Sequence, residues 1–360
     1  MTGAMKTIRA GIIGQGRSGH DIHARALVKY VSEKYKVIAV ADPRPSQLVS
    51  DVLPADVVKL ADYKDLFKRD DLDLIVNASP SHLHVPITLE ALKAGFNVLC
   101  EKPAAKSAKE IDQMVAAAKK AGTVYAIFQQ SRFAPYFQQI KSVIDSGVLG
   151  RVILIKMLWN SFGRRWDWQT LREYNGGSLR NTGPHPMDQA LQLFGTDTMP
   201  RITAILDRAE TFGDAEDVVK VLLSGPGRPT IDLEICSNSA YNGYGFIVNG
   251  TYGSLAGSQE HLDWKYYKPE EAPKQVITRE PMPGRTWCSE DLKWHTGSWD
   301  FAKSDTGLFD QMARSFYLAL YDTLVDGKPL VVTHAHVRQQ MAVMEECHRQ
   351  NPLPPVPGLA

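Results

Sequence analysis

The stretch NVLCEKPAAKSA, residues 97–108, sets Glu101 and Lys102 at the end of an apolar run that reads as an interior strand, and Pro103 prevents the strand from continuing. An amine held at a strand end beside a cleft can polarise a reacting oxygen and exchange a proton with it. A strand-end lysine exposed to water is the commoner arrangement, and position alone leaves both open. Upstream, GIIGQGRSGHDIH spaces Gly14, Gly16 and Gly19 as G-x-G-x-x-G between a strand-like and a helix-like run. Gly14 suits a tight turn, Gly16 lets the backbone approach a pyrophosphate, and Gly19 lets the helix pack on the strand, with the helix N-terminus facing the anion. Gln15, Arg17 and Ser18 fill out this predicted cofactor loop. A glycine-rich turn without a ligand is the alternative, and the flanking strand and helix weigh against it.

Asp42 ends the second strand, KVIAVAD. A carboxylate there accepts hydrogen bonds from ribose hydroxyls and repels a 2'-phosphate, so NAD is favoured and NADP less so. Arg44, two residues on, can instead pair with that phosphate or stack on adenine.

These residues require a scaffold. TIRAGII, KVIAVA, DLIVNA, NVLC and TVYAIF read as buried strands, and HDIHARALVKYVSEKY, HVPITLEALKAG and SAKEIDQMVAAAKKAG read as helices between them. The alternation predicts a doubly wound parallel sheet covered on both faces. Ligands in such sheets bind beyond the carboxyl ends of the strands. NASPSHLH and EKP reach that edge, which makes Ser79, Pro80, His84, Glu101 and Lys102 candidate cofactor contacts. After a helix, PYFQQIKSVIDSG, the pattern changes. RVILIKMLW, RITAILDRA, DVVKVLLS, TIDLEIC and GFIVNG read as strands with fewer helices between them, several with one covered face. Two helical runs and a proline-rich tail close the chain. The crossing between the two halves falls near residues 128–132.

Composition narrows the partners. The chain has 360 residues, 44% hydrophobic and 22% charged, with a formal net charge of +1. Two domains are expected, without the basic excess that nucleic acid or an anionic membrane would attract. The four cysteines, Cys100, Cys236, Cys288 and Cys347, form no C-x-x-C pair, which argues against a zinc site or a disulfide scaffold and fits a reducing cytoplasm. The first residues read as a strand, not a signal peptide, and no apolar run is long enough to span a bilayer. His334 and His336 do not share a helical face, so no metal site is expected there.

GIIGQGRSG, NASPSHLHVPITLEALKAGFNVLCEKPAA, QSRFAPYFQQIKSVIDSGVLGRV and GGSLRNTGPHPMDQAL occur in the order seen in the glucose–fructose oxidoreductase / inositol 2-dehydrogenase (Gfo/Idh/MocA) family, which the chain resembles from about residue 7 to 350. The resemblance implies an N-terminal Rossmann domain, residues 1–130, for NAD(P). It implies a C-terminal α/β domain, residues 131–360, with a large, mainly antiparallel sheet for substrate and oligomerisation. It also implies a carbohydrate or polyol substrate and a homodimer, homotetramer or higher homo-oligomer. Lys102 matches the family's active-site lysine, and His185 its general acid/base. Inositol-dehydrogenase-like members carry an aspartate four residues before that histidine, whereas this chain has Asn181. An asparagine cannot take the proton, but it can hydrogen-bond a substrate hydroxyl in both directions.

On this reading His185 accepts the proton of a secondary hydroxyl and Lys102 orients and polarises the same oxygen, while hydride passes to nicotinamide. By spacing alone His185 is equally a structural histidine between Pro184 and Pro186. Asp188 lies on its helical face and can hold the imidazole, or simply sit favourably in the first helical turn. Arg132 at the crossing can contact substrate or form a structural ion pair. Arg164, Trp166 and Trp168 suit the hydroxyls and flat faces of a sugar. Trp287, Trp294 and Trp299 lie in a second aromatic segment, read mostly as loop, where substrate and interface roles stay open. The leading expectation is NAD-dependent oxidation of a sugar, inositol or glycoside, with glycoside 3-oxidation suited to the aromatic loops. The alternatives are a redox-neutral enzyme with tightly held NAD and a non-catalytic NAD- or sugar-binding regulator.

Overall fold

A computed structural model of the chain describes residues 6–241, 243–302 and 306–356. The first half alternates as predicted. Strands β1 (Ile8–Ile13), β2 (Tyr35–Ala41), β3 (Val58–Leu60), β4 (Leu74–Asn77), β5 (Asn97–Cys100) and β6 (Tyr125–Ile127) form one six-stranded sheet in the order β3-β2-β1-β4-β5-β6. Every pairing in it is parallel. Its central strands are buried on both faces, β4 throughout, which is why they read as unbroken apolar runs.

The first helix is shorter than predicted. A π-helical stretch, Ser18–Ala24, leads into α1 (Arg25–Lys29), and the chain turns before β2. Helices α2 (His84–Lys93) and α3 (Ala108–Ala121) follow. Ser107 caps α3, its hydroxyl accepting the Glu110 N–H at 3.2 Å, and Gly122 ends it at φ 68°.

In the second half α4 (Pro135–Asp145), β7 (Val152–Asn160), α5 (Ser178–Asn181) and α6 (Pro184–Phe194) precede a run of strands: β8 (Arg201–Asp207), β9 (Val218–Ser224), β10 (Thr230–Cys236), β11 (Phe246–Gly250), β12 (Gly253–Gly257), β13 (His261–Tyr267) and β14 (Trp294–Asp300). With β7 they form an eight-stranded sheet in the order β14-β13-β12-β11-β7-β10-β9-β8. Only the β7–β10 pairing is parallel; the rest of the sheet is antiparallel.

One feature of this half differs from the sequence reading. The aromatic stretch around Trp294 and Trp299 is not loop but β14, the edge strand, where residues alternate between the two sheet faces. Helices α7 (Leu308–Asp326) and α8 (His334–Gln350) return to the first half. Tyr317 on α7 meets His23 and Tyr35, while on α8 Arg338 pairs with Asp112 and Glu345 accepts the Ala108 N–H. Among the described residues, no helix is long and apolar enough to cross a membrane.

Candidate active site

The glycine turn lies at the carboxyl edge of β1. Gly14 has φ 85°, and a Cβ there would stand 2.4 Å from the Ala78 carbonyl oxygen. A Cβ on Gly19 would stand 1.7 Å from the Gly14 carbonyl oxygen, so helix and strand can approach only with glycine. At Gly16 the nearest group is the Arg44 guanidinium, 3.8 Å away, and the backbone stays open to the crevice. Gly19→Ala is expected to lower the melting temperature and weaken NADH binding at least about tenfold, or about 1.4 kcal/mol, read by fluorescence titration; unchanged binding would disprove the packing role.

A cavity of about 920 Å³ runs from this turn past Asp42 and Arg44, along Ser79 and Pro80, to Lys102. Gly14, Gly16, Arg17 and Ser18 form its floor at the helix start. Its length and open glycine backbone fit a dinucleotide. Asp42, just past the end of β2, is almost fully buried. Its Oδ2 accepts the Gln15 N–H at 2.8 Å, and its Oδ1 accepts the Arg44 N–H at 2.9 Å. The Arg44 guanidinium covers both oxygens, each at 2.9 Å. Burial pushes the Asp42 carboxyl up, but these hydrogen bonds outweigh it and hold it below the usual range.

Lys102 leaves β5 and crosses to the second half, where its Nζ donates to the Asn181 carbonyl oxygen at 2.9 Å. Burial lowers its pKa, Glu101 opposes that, and the charges of Arg17 and Arg165 lower it further. His185, at the start of α6, has its Nδ1 3.2 Å from the Ser131 hydroxyl and its ring stacked with Trp159 of β7. Its Nε2 has no partner among the described residues. Burial, then the Lys102 charge, bring its pKa down to about 3 against the pull of Glu101. The ring is therefore neutral at ordinary pH, with Nε2 unpaired among the described residues, and a weaker base than a free histidine.

The structure corrects several expected roles. Asp188 does not hold His185. It is buried in a two-pronged ion pair with Arg132, at 2.7 and 2.5 Å, so neither residue faces the cavity as a substrate contact. Arg164 pairs with Glu210 and lies over Phe212, and Trp166 stands 79% exposed; neither lines the cavity. Arg165, Asp167, Trp168 and Gln169 do line it. Gln15 is buried and turned back on the Gly14 carbonyl, tying the turn to Asp42 instead of lining the cavity. His84 borders the cavity but is 1% exposed, its ring nitrogens 2.7 Å from the Pro103 carbonyl and 2.9 Å from that of Ser79. It clamps the two loops that form the cavity wall. Glu101 also borders it, with both oxygens engaged inside the protein: Oε1 with His23 at 3.1 Å and Oε2 with the Lys102 N–H at 2.9 Å. The Asn181 side chain has no partner among the described residues and remains available to a hydroxyl.

Sequence reasoning missed Ser131, whose hydroxyl approaches His185, and Gln47 and Tyr63, which wall the Asp42 end of the cavity. Trp159, read from the sequence as one of the aromatics offered to a sugar, stacks on the His185 ring.

A parallel sheet with a glycine turn at its carboxyl edge, joined to a broad-sheet half that meets the crevice lysine through the Asn181 carbonyl, defines a two-domain dinucleotide-binding protein. Two family models match the chain: GFO_IDH_MocA, described as an oxidoreductase family with an NAD-binding Rossmann fold, over residues 8–129, and the GFO/IDH/MocA C-terminal domain over residues 137–256. The chain belongs to this oxidoreductase family. Its relatives include the 2,7-anhydro-N-acetylneuraminate hydratase of Mediterraneibacter gnavus, 27% identical over 70% of this chain and 67% of that protein. The scyllo-inositol 2-dehydrogenase (NADP(+)) IolW of Bacillus subtilis is 29% identical over 57% of each. Among solved structures, an oxidoreductase from Bacillus cereus superposes with a TM-score of 0.76 at 22% identity, covering 95% of this chain and 97% of its own. The WlbA dehydrogenase from Bordetella pertussis, in complex with NADH and UDP-GlcNAcA, gives 0.74 at 19% identity, covering 96% and 97%. These two share the fold.

Proposed function

We propose that the protein is an NAD-dependent dehydrogenase acting on a secondary hydroxyl of a sugar, inositol or glycoside. The observation that carries this reading is a cavity suited to a dinucleotide that ends at Lys102, whose Nζ is tied to the Asn181 carbonyl four residues before His185, with His185 near enough for the lysine charge to lower its pKa. NAD, when bound, supplies the hydride acceptor. Gly14, Gly16, Arg17 and Ser18 would hold its pyrophosphate, and Asp42 and Arg44 its adenosine ribose. Lys102 donates a hydrogen bond to the reacting oxygen and stabilises the alkoxide that develops. The neutral His185 ring accepts the hydroxyl proton, and the two groups share one exchangeable proton as a coupled pair. Asn181 binds a neighbouring hydroxyl. The relatives that act on inositol and on a sialic acid derivative support a polyhydroxylated substrate. The test is NADH formation, followed by its absorbance, across inositols, free sugars and glycosides; an inert panel with freely exchanging cofactor would count against the reading.

Asp42 supports NAD over NADP, and Arg44 sets how strict the choice is. Wild type is expected to favour NAD, while Arg44→Ala lowers kcat/KM for NADP about tenfold or more and leaves NAD nearly unchanged. Preference for NADP, reversed by Arg44→Ala, would overturn the NAD assignment.

The hydratase relative favours one further reading: the hydride returns to the substrate after an elimination or addition, and NAD stays bound. Nucleotide released from heat-denatured protein, in equal amount to the chain, would distinguish this from free cofactor exchange. We also infer a homo-oligomer: Ile153, Ile205 and Leu222 stand exposed on the eight-stranded sheet, and light scattering would read the mass.

A further inference from the structure

The first-half helix that follows the glycine turn carries His23, which is fully buried. Its Nε2 is 3.1 Å from Glu101 Oε1, and its Nδ1 is 2.7 Å from the Tyr317 hydroxyl on α7. A carboxylate only accepts, so Nε2 carries the proton directed at Glu101. The other Glu101 oxygen accepts the Lys102 N–H. The carboxylate is thus fixed against the Lys102 backbone, with both oxygens engaged inside the protein.

We propose that Glu101, held in place by His23, supplies the negative charge that governs proton exchange at Lys102 and His185. The proposal rests on the dehydrogenase reading for its biological meaning, not for its test. The other carboxylates that would serve are absent or occupied. Position 181 is an asparagine, Asp188 is taken by Arg132, Asp42 by Arg44, and Asp167 by Arg165.

The charges that face the pair come from several elements. Arg17 of the glycine turn and Arg165 of the overlying segment both act against a protonated Lys102. Lys102 in turn acts against a protonated His185. Glu101 is the group that opposes them at both positions. Burial pushes the Glu101 carboxyl up, but the His23 hydrogen bond first, and then the Lys102 charge, bring it down to about 2. The network is not a route for protons to solvent. Beyond His23 it ends at Tyr317, a fully buried phenol whose own backbone carbonyl accepts the Tyr35 hydroxyl. It fixes a charge, so Glu101 and His23 are positioning residues.

The test reads Lys102 directly and requires no substrate. The rate of Lys102 acylation by acetic anhydride, followed by mass spectrometry across pH, gives its titration midpoint in the intact protein. Glu101→Gln keeps the shape and removes the charge; His23→Leu removes the donor; His23→Gln restores a donor to Glu101. The first two are expected to move the Lys102 midpoint to lower pH by about one unit or more, and His23→Gln to bring it back toward wild type. An unmoved midpoint in folded His23→Leu overturns the proposal. If that variant does not fold, Glu101→Gln decides, and an unmoved midpoint there overturns it too. Failure of the dehydrogenase reading would appear separately, as wild-type protein whose Lys102 titrates as described but which oxidises no sugar.

Discussion

Lys102→Ala is expected to lower kcat/KM for the oxidised substrate by about 10³-fold while leaving NADH affinity within about threefold. The ammonium at the cavity end is held by a backbone carbonyl, that of Asn181, with no carboxylate side chain bonded to it among the described residues. Its hydrogen-bonding capacity is therefore available to a developing alkoxide. The nucleotide contacts lie elsewhere, on the glycine turn and at Asp42, so binding and chemistry separate. Lys102→Met, which keeps the length of the side chain, should lose as much as the alanine variant. His185→Gln should lose about 10²-fold or more, because an amide cannot accept the proton. Steady-state kinetics beside fluorescence titration of NADH reads both quantities. A rate loss under about tenfold, or one matched by lost NADH affinity, would remove Lys102 from the chemistry.

Arg132→Ala is expected to destabilise the fold by about 3–5 kcal/mol, because it leaves Asp188 buried without its partner. The guanidinium meets both Asp188 oxygens and also reaches the Val331 carbonyl and His336 at 3.3 Å. It thereby joins the crossing between the halves, α6 and the start of α8. Asp188→Asn should cost less, since an amide retains part of the hydrogen bonding. The double variant Arg132→Met with Asp188→Leu should recover much of the loss, because it removes both buried charges together. Urea unfolding with a constant m-value measures each. If Arg132→Ala kept its stability and raised KM instead, the residue would be a substrate contact after all.

Much of this protein is legible one segment at a time. Buried parallel strands announce themselves as unbroken apolar runs, and Ser107 and Gly122 mark the ends of α3 by local backbone chemistry alone. Gly14 and Gly19 encode close backbone approaches within one strand–turn–helix unit. Lys102 follows a strand, so its place at the carboxyl edge follows from the order of elements.

The unread parts depend on partners far away in the chain. Asp188 is one helical turn from His185, and helical spacing allowed it to serve the imidazole. Arg132, brought in from the crossing between the halves, took both of its oxygens first. The edge strand β14 was hidden because an edge position requires neither a continuous apolar run nor a covered face. Glu101 looked like a cofactor contact because it follows a strand at the carboxyl edge of the sheet, yet its two oxygens are claimed by His23 and by the backbone of its own neighbour. Periodicity and turn chemistry record which face of an element is buried, and by themselves they determined the doubly wound fold and the place of the nucleotide crevice. Which buried charge pairs with which was decided only by the tertiary structure, because each polar group must find its partner among side chains that the packing of distant elements brings within reach.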